Sequence, residues 1–275
     1  MNLDRGVVRS VGAGLALAAA LSAAPGAQAQ ETAAVDLPKF NPAVVGDRFF
    51  GVPSAYSAGE MTFHAGALLD YAREPLVLVR ASSEEDLGAV VSDQMLLHIG
   101  LNFSIIERFS INADMPFAVL SQGDGPAAGG LQFSQPSGAA QGDLRLGLRA
   151  RLFGEYHEPF HLGVGGYVWV PTGSDESYIS DGNVRGQPQL LFGGREDRFV
   201  YSVMVGHQMN WGAGVGVLVL DERSLQFGLE SYGGVDIENT DARSTNAEVL
   251  AGVKWRMTPY ADRHALGPAG GPGRP

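Results

Sequence analysis

His157-Glu158-Pro159-Phe160-His161 has the spacing of H-E-x-x-H, the pattern that presents two histidines to a zinc ion and a glutamate to its bound water. That chemistry needs a helix, which stacks positions four apart on one face. Here Pro159 interrupts the motif and an alternating pattern starts at Phe160, so the chain is extended. Residues four apart in an extended chain are separated by roughly 13 Å, too far to share one metal ion. Gly212-x-Gly214-x-Gly216 resembles a phosphate-binding loop but lacks its spacing and the helix that would receive the anion. The acidic stretch from Ser174 to Gly182 (SDESYISDG) lacks the ligand spacing of a calcium loop and reads as a solvated surface loop. His64, His98 and His207 stand in no defensible spacing with a serine nucleophile, and there is no G-x-S-x-G elbow. No catalytic, cofactor-binding or metal-ligating residue is assigned, and no cofactor is expected.

Gly142 to Phe153 (GDLRLGLRARLF) is more informative. Leu144, Leu146, Leu148, Ala150 and Leu152 occupy the even positions, and Arg145, Arg149 and Arg151 occupy three odd ones. A helix would spread both sets around its circumference, whereas a strand sends them to opposite faces. The same parity recurs in about ten segments. Examples are Leu97–Ile105 against His98–Ser104, Phe109–Val119 against Ser110–Pro116, and Ala247–Trp255 against Glu248, Lys254 and Arg256. Most of these segments are long enough for the ~9–11 residues of a tilted membrane strand, longer than the ~5–6 common in soluble sheets.

The links between segments alternate in length. Short ones at Ile106–Arg108, Gly154–Glu158, Arg195–Arg198 and Asp221–Ser224 alternate with longer ones at Ala81–Leu87, Ser121–Gln141, Thr172–Val184 and Glu238–Arg243. A tight link near Asn210 is the exception. Phe103, Phe109, Phe153, Phe160, Phe192 and Phe199 gather beside the short turns, where an interfacial aromatic girdle belongs, although Phe153 is out of parity with its strand. The reading is an antiparallel transmembrane β-barrel of about 10 strands, or a 12-strand barrel cut short. Its apolar stripe faces acyl chains. Its lumen holds Asp70, Asp114, Arg145, Arg149, Arg151, Glu230, Glu248, Lys254 and Arg256 as pairing or pore-lining charges. Barrels of this size are largely filled by side chains. Gly163, Gly165, Gly212, Gly214 and Gly216 nevertheless leave room on the lumenal face and keep a narrow channel as the alternative to a filled lumen.

Residues 1–29 supply a basic start (Arg5, Arg9), an apolar run from Val11 to Ala24 and an Ala27-Gln28-Ala29 cleavage site, the layout of a secretory signal peptide. Removing it leaves about 246 residues, one unit more negative than the −11 of the whole chain. That acidity argues against a nucleic-acid partner. With no cysteine there is neither a disulfide framework nor a thiolate metal site. Residues 30–60, broken by Pro38, Pro42 and Pro53, read as an extended periplasmic lead-in, with Arg48-Phe49-Phe50 packing under the barrel mouth. Residues 61–256 are the expected barrel, and 257–275 a disordered Gly/Pro-rich tail.

Gly46–Gly59 (GDRFFGVPSAYSAG), Tyr71–Leu78 (YAREPLVL) and Pro136–Ser174 (PSGAAQGDLRLGLRARLFGEYHEPFHLGVGGYVWVPTGS) resemble the N-terminal barrel region of OmpA-family outer-membrane proteins of myxobacterial type. The resemblance runs with gaps from about residue 40 to 256. It implies a Gram-negative outer-membrane location, lipid and lipopolysaccharide as surroundings, and delivery by the barrel-assembly machinery. It carries no catalytic residues. The Asp-rich repeats and peptidoglycan-binding domain that follow such barrels are not found after Trp255, so peptidoglycan is not an expected partner. The preferred function is a structural, non-enzymatic barrel with a salt-bridged lumen. A small porin for hydrophilic or aromatic solutes and an outer-membrane lipid-modifying enzyme are the alternatives.

Overall fold

The computed structural model describes residues 40–255 except 57–58, 81–84, 124–126, 129–130, 133–137, 156–157, 174–177, 181, 208–209, 221–223 and 236–244. The expected leader, the tail, His157 and Arg256 lie outside the described residues, as does much of the 174–182 loop.

The chain is all-β. Its strands are β1 (Thr62–Arg80), β2 (Glu85–Ile106), β3 (Phe109–Gln122), β4 (Ala127–Ala128), β5 (Leu131–Gln132), β6 (Ala140–Gln141), β7 (Leu144–Phe153), β8 (His161–Val170), β9 (Arg185–Glu196), β10 (Phe199–Gly206), β11 (Trp211–Val219), β12 (Leu225–Val235) and β13 (Thr245–Trp255). The ten long strands form one antiparallel meander in the order β1-β2-β3-β7-β8-β9-β10-β11-β12-β13, and the short β6 pairs with β3. Short connections at Glu107–Arg108 and Asp197–Arg198 fall where the sequence puts them.

The alternation is sharp. Leu148 is 56% exposed and its neighbour Arg149 is 4% exposed. On β2 the Ile99 and Leu101 side chains are exposed while those of His98, Asn102 and Ser104 are buried behind them. The sheet therefore carries its apolar side chains outward and its polar ones inward, the reverse of a water-soluble barrel.

Phe153 breaks parity through a bulge. The β7–β8 register slips between Arg151 and Phe153, so Leu152 and Phe153 both point outward, and the Phe153 ring meets Phe160 at 6.3 Å. An extra residue at a strand end re-aims the side chain in this way.

One expected loop is in part strand. Of Ala81–Leu87, residues from Glu85 belong to β2, and β1 runs to Arg80. The β3 ladder on β2 begins only at Asp93, so the far half of the β1–β2 hairpin extends past its neighbour. Alternation weakens there, and turn-type residues do not distinguish a hairpin tip from a loop.

The sheet curls until its edge strands line one cleft. Leu69, Asp70 and Tyr71 of β1 face Glu248, Val249 and Leu250 of β13 across a cavity of about 640 Å³. Among the described residues no ladder joins β1 to β13. The β1 edge is blunted by a bulge at Glu74 (φ 51°), by Pro75 and by the exposed Arg73–Glu74 pair. Such features discourage edge-to-edge pairing with another chain.

Candidate functional site

Residues 40–55 occupy the concave side of the sheet. Phe49, Val52 and Ala55 are fully buried in a cluster with Leu191, Val200, Met204 and Leu218. The segment expected to pack beneath the mouth thus lies inside the lumen, and its apolar side chains supply what the polar wall lacks. Turn residues hold its shape. Asp47 N–H donates to the Val44 carbonyl at 2.9 Å, and the Asp47 carboxylate accepts from Arg48 N–H at 2.8 Å, Ser54 N–H at 3.1 Å and the Ser54 hydroxyl.

The wall holds this plug by its polar groups. Arg149 Nη1 lies 2.6 Å from Asp47 Oδ2 and donates to the Ser54 carbonyl at 2.8 Å, while its Nε donates to the Ser110 hydroxyl at 3.2 Å. The Glu230 carboxylate, 2% exposed, accepts the backbone N–H groups of Phe50, Gly51 and Val52 at 2.7, 2.8 and 2.9 Å. Lys254 Nζ donates to the carbonyls of Asp47 (3.0 Å) and Phe49 (2.7 Å) and sits 4.5 Å from the centre of the Phe50 ring. Arg145 Nη2 donates to the Pro42 carbonyl at 2.7 Å, and Asn102 Nδ2 to the Val45 carbonyl at 3.2 Å. A buried charge is tolerated when it is paired and its remaining donors and acceptors are filled. For Arg149, Glu230 and Lys254 a loop backbone supplies such partners, and the same contacts satisfy amides that a buried loop would otherwise leave bare.

The lumenal glycines are the other half of this fit. A Cβ on Gly100 would stand 2.4 Å from the Val45 side chain, and Phe49 lies against Gly214. Gly100→Ala should cost about 1–3 kcal/mol in chemical unfolding, as an overpacked core does. The double variant Val45→Ala/Gly100→Ala should recover most of that loss. Two single-variant costs that simply add would place Val45 elsewhere. The room left by glycine is thus taken up by the plug.

Among the described residues the charges expected in the lumen fall into four groups. Arg145, Arg149, Glu230 and Lys254 hold the plug, as above. Asp114 lies 3.0 Å from His98 Nδ1 and 3.6 Å from Arg145 Nη2. Arg151 is buried at the short-turn end and donates to the Glu107 carbonyl at 3.1 Å. Asp70 and Glu248 stand apart on the seam cleft, where Tyr232 donates its hydroxyl proton to Glu248 at 2.9 Å.

His161 of the H-E-x-x-H match opens β8, buried, and Glu158 sits in a turn whose N–H reaches the Glu155 carbonyl at 3.1 Å. His64 lies against Gly46, and His207 is on the exposed β10–β11 link. The sequence reading missed Asp47 and Ser54, and set Phe49 beneath the barrel mouth where the structure buries it within the lumen. The signal that could have found them is the row of vacant lumenal positions, which demands an occupant of matching length. No known protein-family model matches the chain, and no curated protein is significantly similar to it.

Proposed function

We propose that this chain is a structural outer-membrane β-barrel of the OmpA-like type, exported by a cleaved leader and closed by its own N-terminal segment. The observation that carries the reading is the inversion of the sheet. Among the described residues, exposed leucine, isoleucine, valine and phenylalanine side chains lie on the outside of the long strands, while guanidinium and carboxylate groups lie within. Lipid is the solvent that favours such an outside, and the continuous meander keeps the backbone bonds of its inner strands internal there, which leaves the β1 and β13 edges to be covered. The reading includes lipid and lipopolysaccharide as neighbours and the barrel-assembly machinery as the route of insertion. A lumen packed with Phe49, Val52 and paired charges favours a scaffold over a porin. No described side-chain arrangement favours a lipid-modifying enzyme.

Leu148→Arg tests the solvent. On a lipid-facing wall it should cost about 2–4 kcal/mol in folding into phospholipid vesicles. On a water-facing surface the same change would stay within about 0.5 kcal/mol, and that outcome would sink the membrane reading. Steady planar-bilayer conductance by the intact chain would move the function to a porin.

A further inference from the structure

The seam cleft leaves two strand edges without a ladder partner among the described residues. β13 keeps unbroken register with β12 over its 11 residues and contains no proline, so its other edge is straight and open to pairing. The blunting features of β1 begin at Arg73, and from Thr62 to Ala72 its register on β2 is also unbroken. A free edge of this length presents about five N–H and five C=O groups. In hydrocarbon no water meets such groups, so an uncovered edge is strongly disfavoured. Direct pairing would bring β1 and β13 to about 4.8 Å, yet a cavity of about 640 Å³ separates Leu69–Tyr71 from Glu248–Leu250. The cleft also carries unanswered charge. Asp70 and Glu248 line it from opposite walls, half-buried, and among the described residues neither has a cationic side chain within ion-pair distance. The hydroxyl that Glu248 accepts from Tyr232 is neutral. On the outer side Leu69, Tyr71 and Val249 are exposed.

We propose that this seam is the docking site for a β-hairpin of a second polypeptide, apolar on its outer face and carrying lysine or arginine on its inner face opposite Asp70 and Glu248. The proposal rests on the membrane reading above. Strand direction sets the number of strands. The ten long strands alternate in direction, so β1 and β13 run opposite ways. Two inserted strands continue that order, whereas a single one would run parallel to a neighbour. A second whole barrel does not fit the slit, because both walls grip the same plug: Gly66 of β1 lies against Val45, and Lys254 of β13 holds the Asp47 carbonyl. Residues 256–275 carry Pro259, Pro268 and Pro272 and no alternating stripe, which is not the pattern of a strand pair.

The test adds a synthetic hairpin to the protein folded into phospholipid vesicles. The peptide has two strands of about 10 residues joined by Asn-Gly, with valine and leucine outside, lysine inside and one cysteine on its outer face. The same peptide with glutamate for lysine, and one of equal composition with scrambled alternation, are run in parallel. Expected are saturable one-to-one binding of the basic hairpin, at least tenfold weaker binding of the acidic one, and disulfides to Leu69→Cys or Val249→Cys but not to Leu148→Cys. The double variant Asp70→Asn/Glu248→Gln should weaken the basic hairpin severalfold. The protein has no cysteine of its own, so these disulfides report the seam alone. Equal affinity for the three peptides would overturn the proposal. So would an internal disulfide in Leu69→Cys/Val249→Cys without peptide, which means that the seam closes on itself, or a disulfide between two copies of Val249→Cys. Leu148→Arg judges the membrane reading independently, whichever way the peptides behave.

Discussion

A chain lacking residues 40–56 is expected to lose its compact form, migrating identically in gels whether boiled or not, where the intact protein shifts on heating. The argument is additive. Phe49 and Val52 are completely enclosed, and burying each such side chain is worth about 1.5–3 kcal/mol. Without the segment, Leu191, Val200, Met204 and Leu218 face an empty lumen. Arg149 and Glu230 lose the partners that make their burial tolerable. Together these losses rival the ~5–15 kcal/mol that separates most folded domains from unfolding. Adding the excised peptide in trans should restore the heat-sensitive shift. A truncated chain that stays compact and conducts ions would instead make the segment a removable gate, and the porin reading would replace the scaffold.

Arg149→Met should destabilise the protein by about 3–5 kcal/mol in denaturant unfolding, because it strands the Asp47 carboxylate in the interior. Combining it with Asp47→Asn should return much of that loss, since the neutral amide no longer needs a guanidinium. The Ser54 hydroxyl and N–H remain to bond position 47 in the double variant. A coupling of 0.5 kcal/mol or less between the two changes would mean that the pair, though 2.6 Å apart, contributes little beyond packing.

The wall of this fold was legible and its filling was not. Alternation at Leu144–Leu152 identified a strand and separated Arg145 and Arg149 from the outer stripe, because parity is a local property of extended backbone. The turns at Glu107–Arg108 and Asp197–Arg198 were equally local. The plug had no such signature. Its partners lie far away in sequence, and a segment of irregular backbone carries no period to read. Even so, Gly212 and Gly214 marked the vacancy, and Phe49 with Val52 matched it in volume. The unpaired seam among the described residues was foreshadowed only by the alternative of a 12-strand barrel cut short, because nothing in an individual strand records whether its outer edge finds a partner.

The geometry of the plug also orders events in time. Every ladder in the sheet joins strands that follow one another along the chain apart from the short inserted pieces, so hairpins can zip from local contacts with little loop-closure cost. The plug obeys the opposite rule. Lys254 reaches back 207 residues to Asp47, and Glu230 reaches back 180 to Phe50. Contacts of that span cannot form until β12 and β13 exist. The N-terminal segment, first to be synthesised, is therefore expected to complete its docking last, with the closing of the longest of these loops as the expected slow step of refolding.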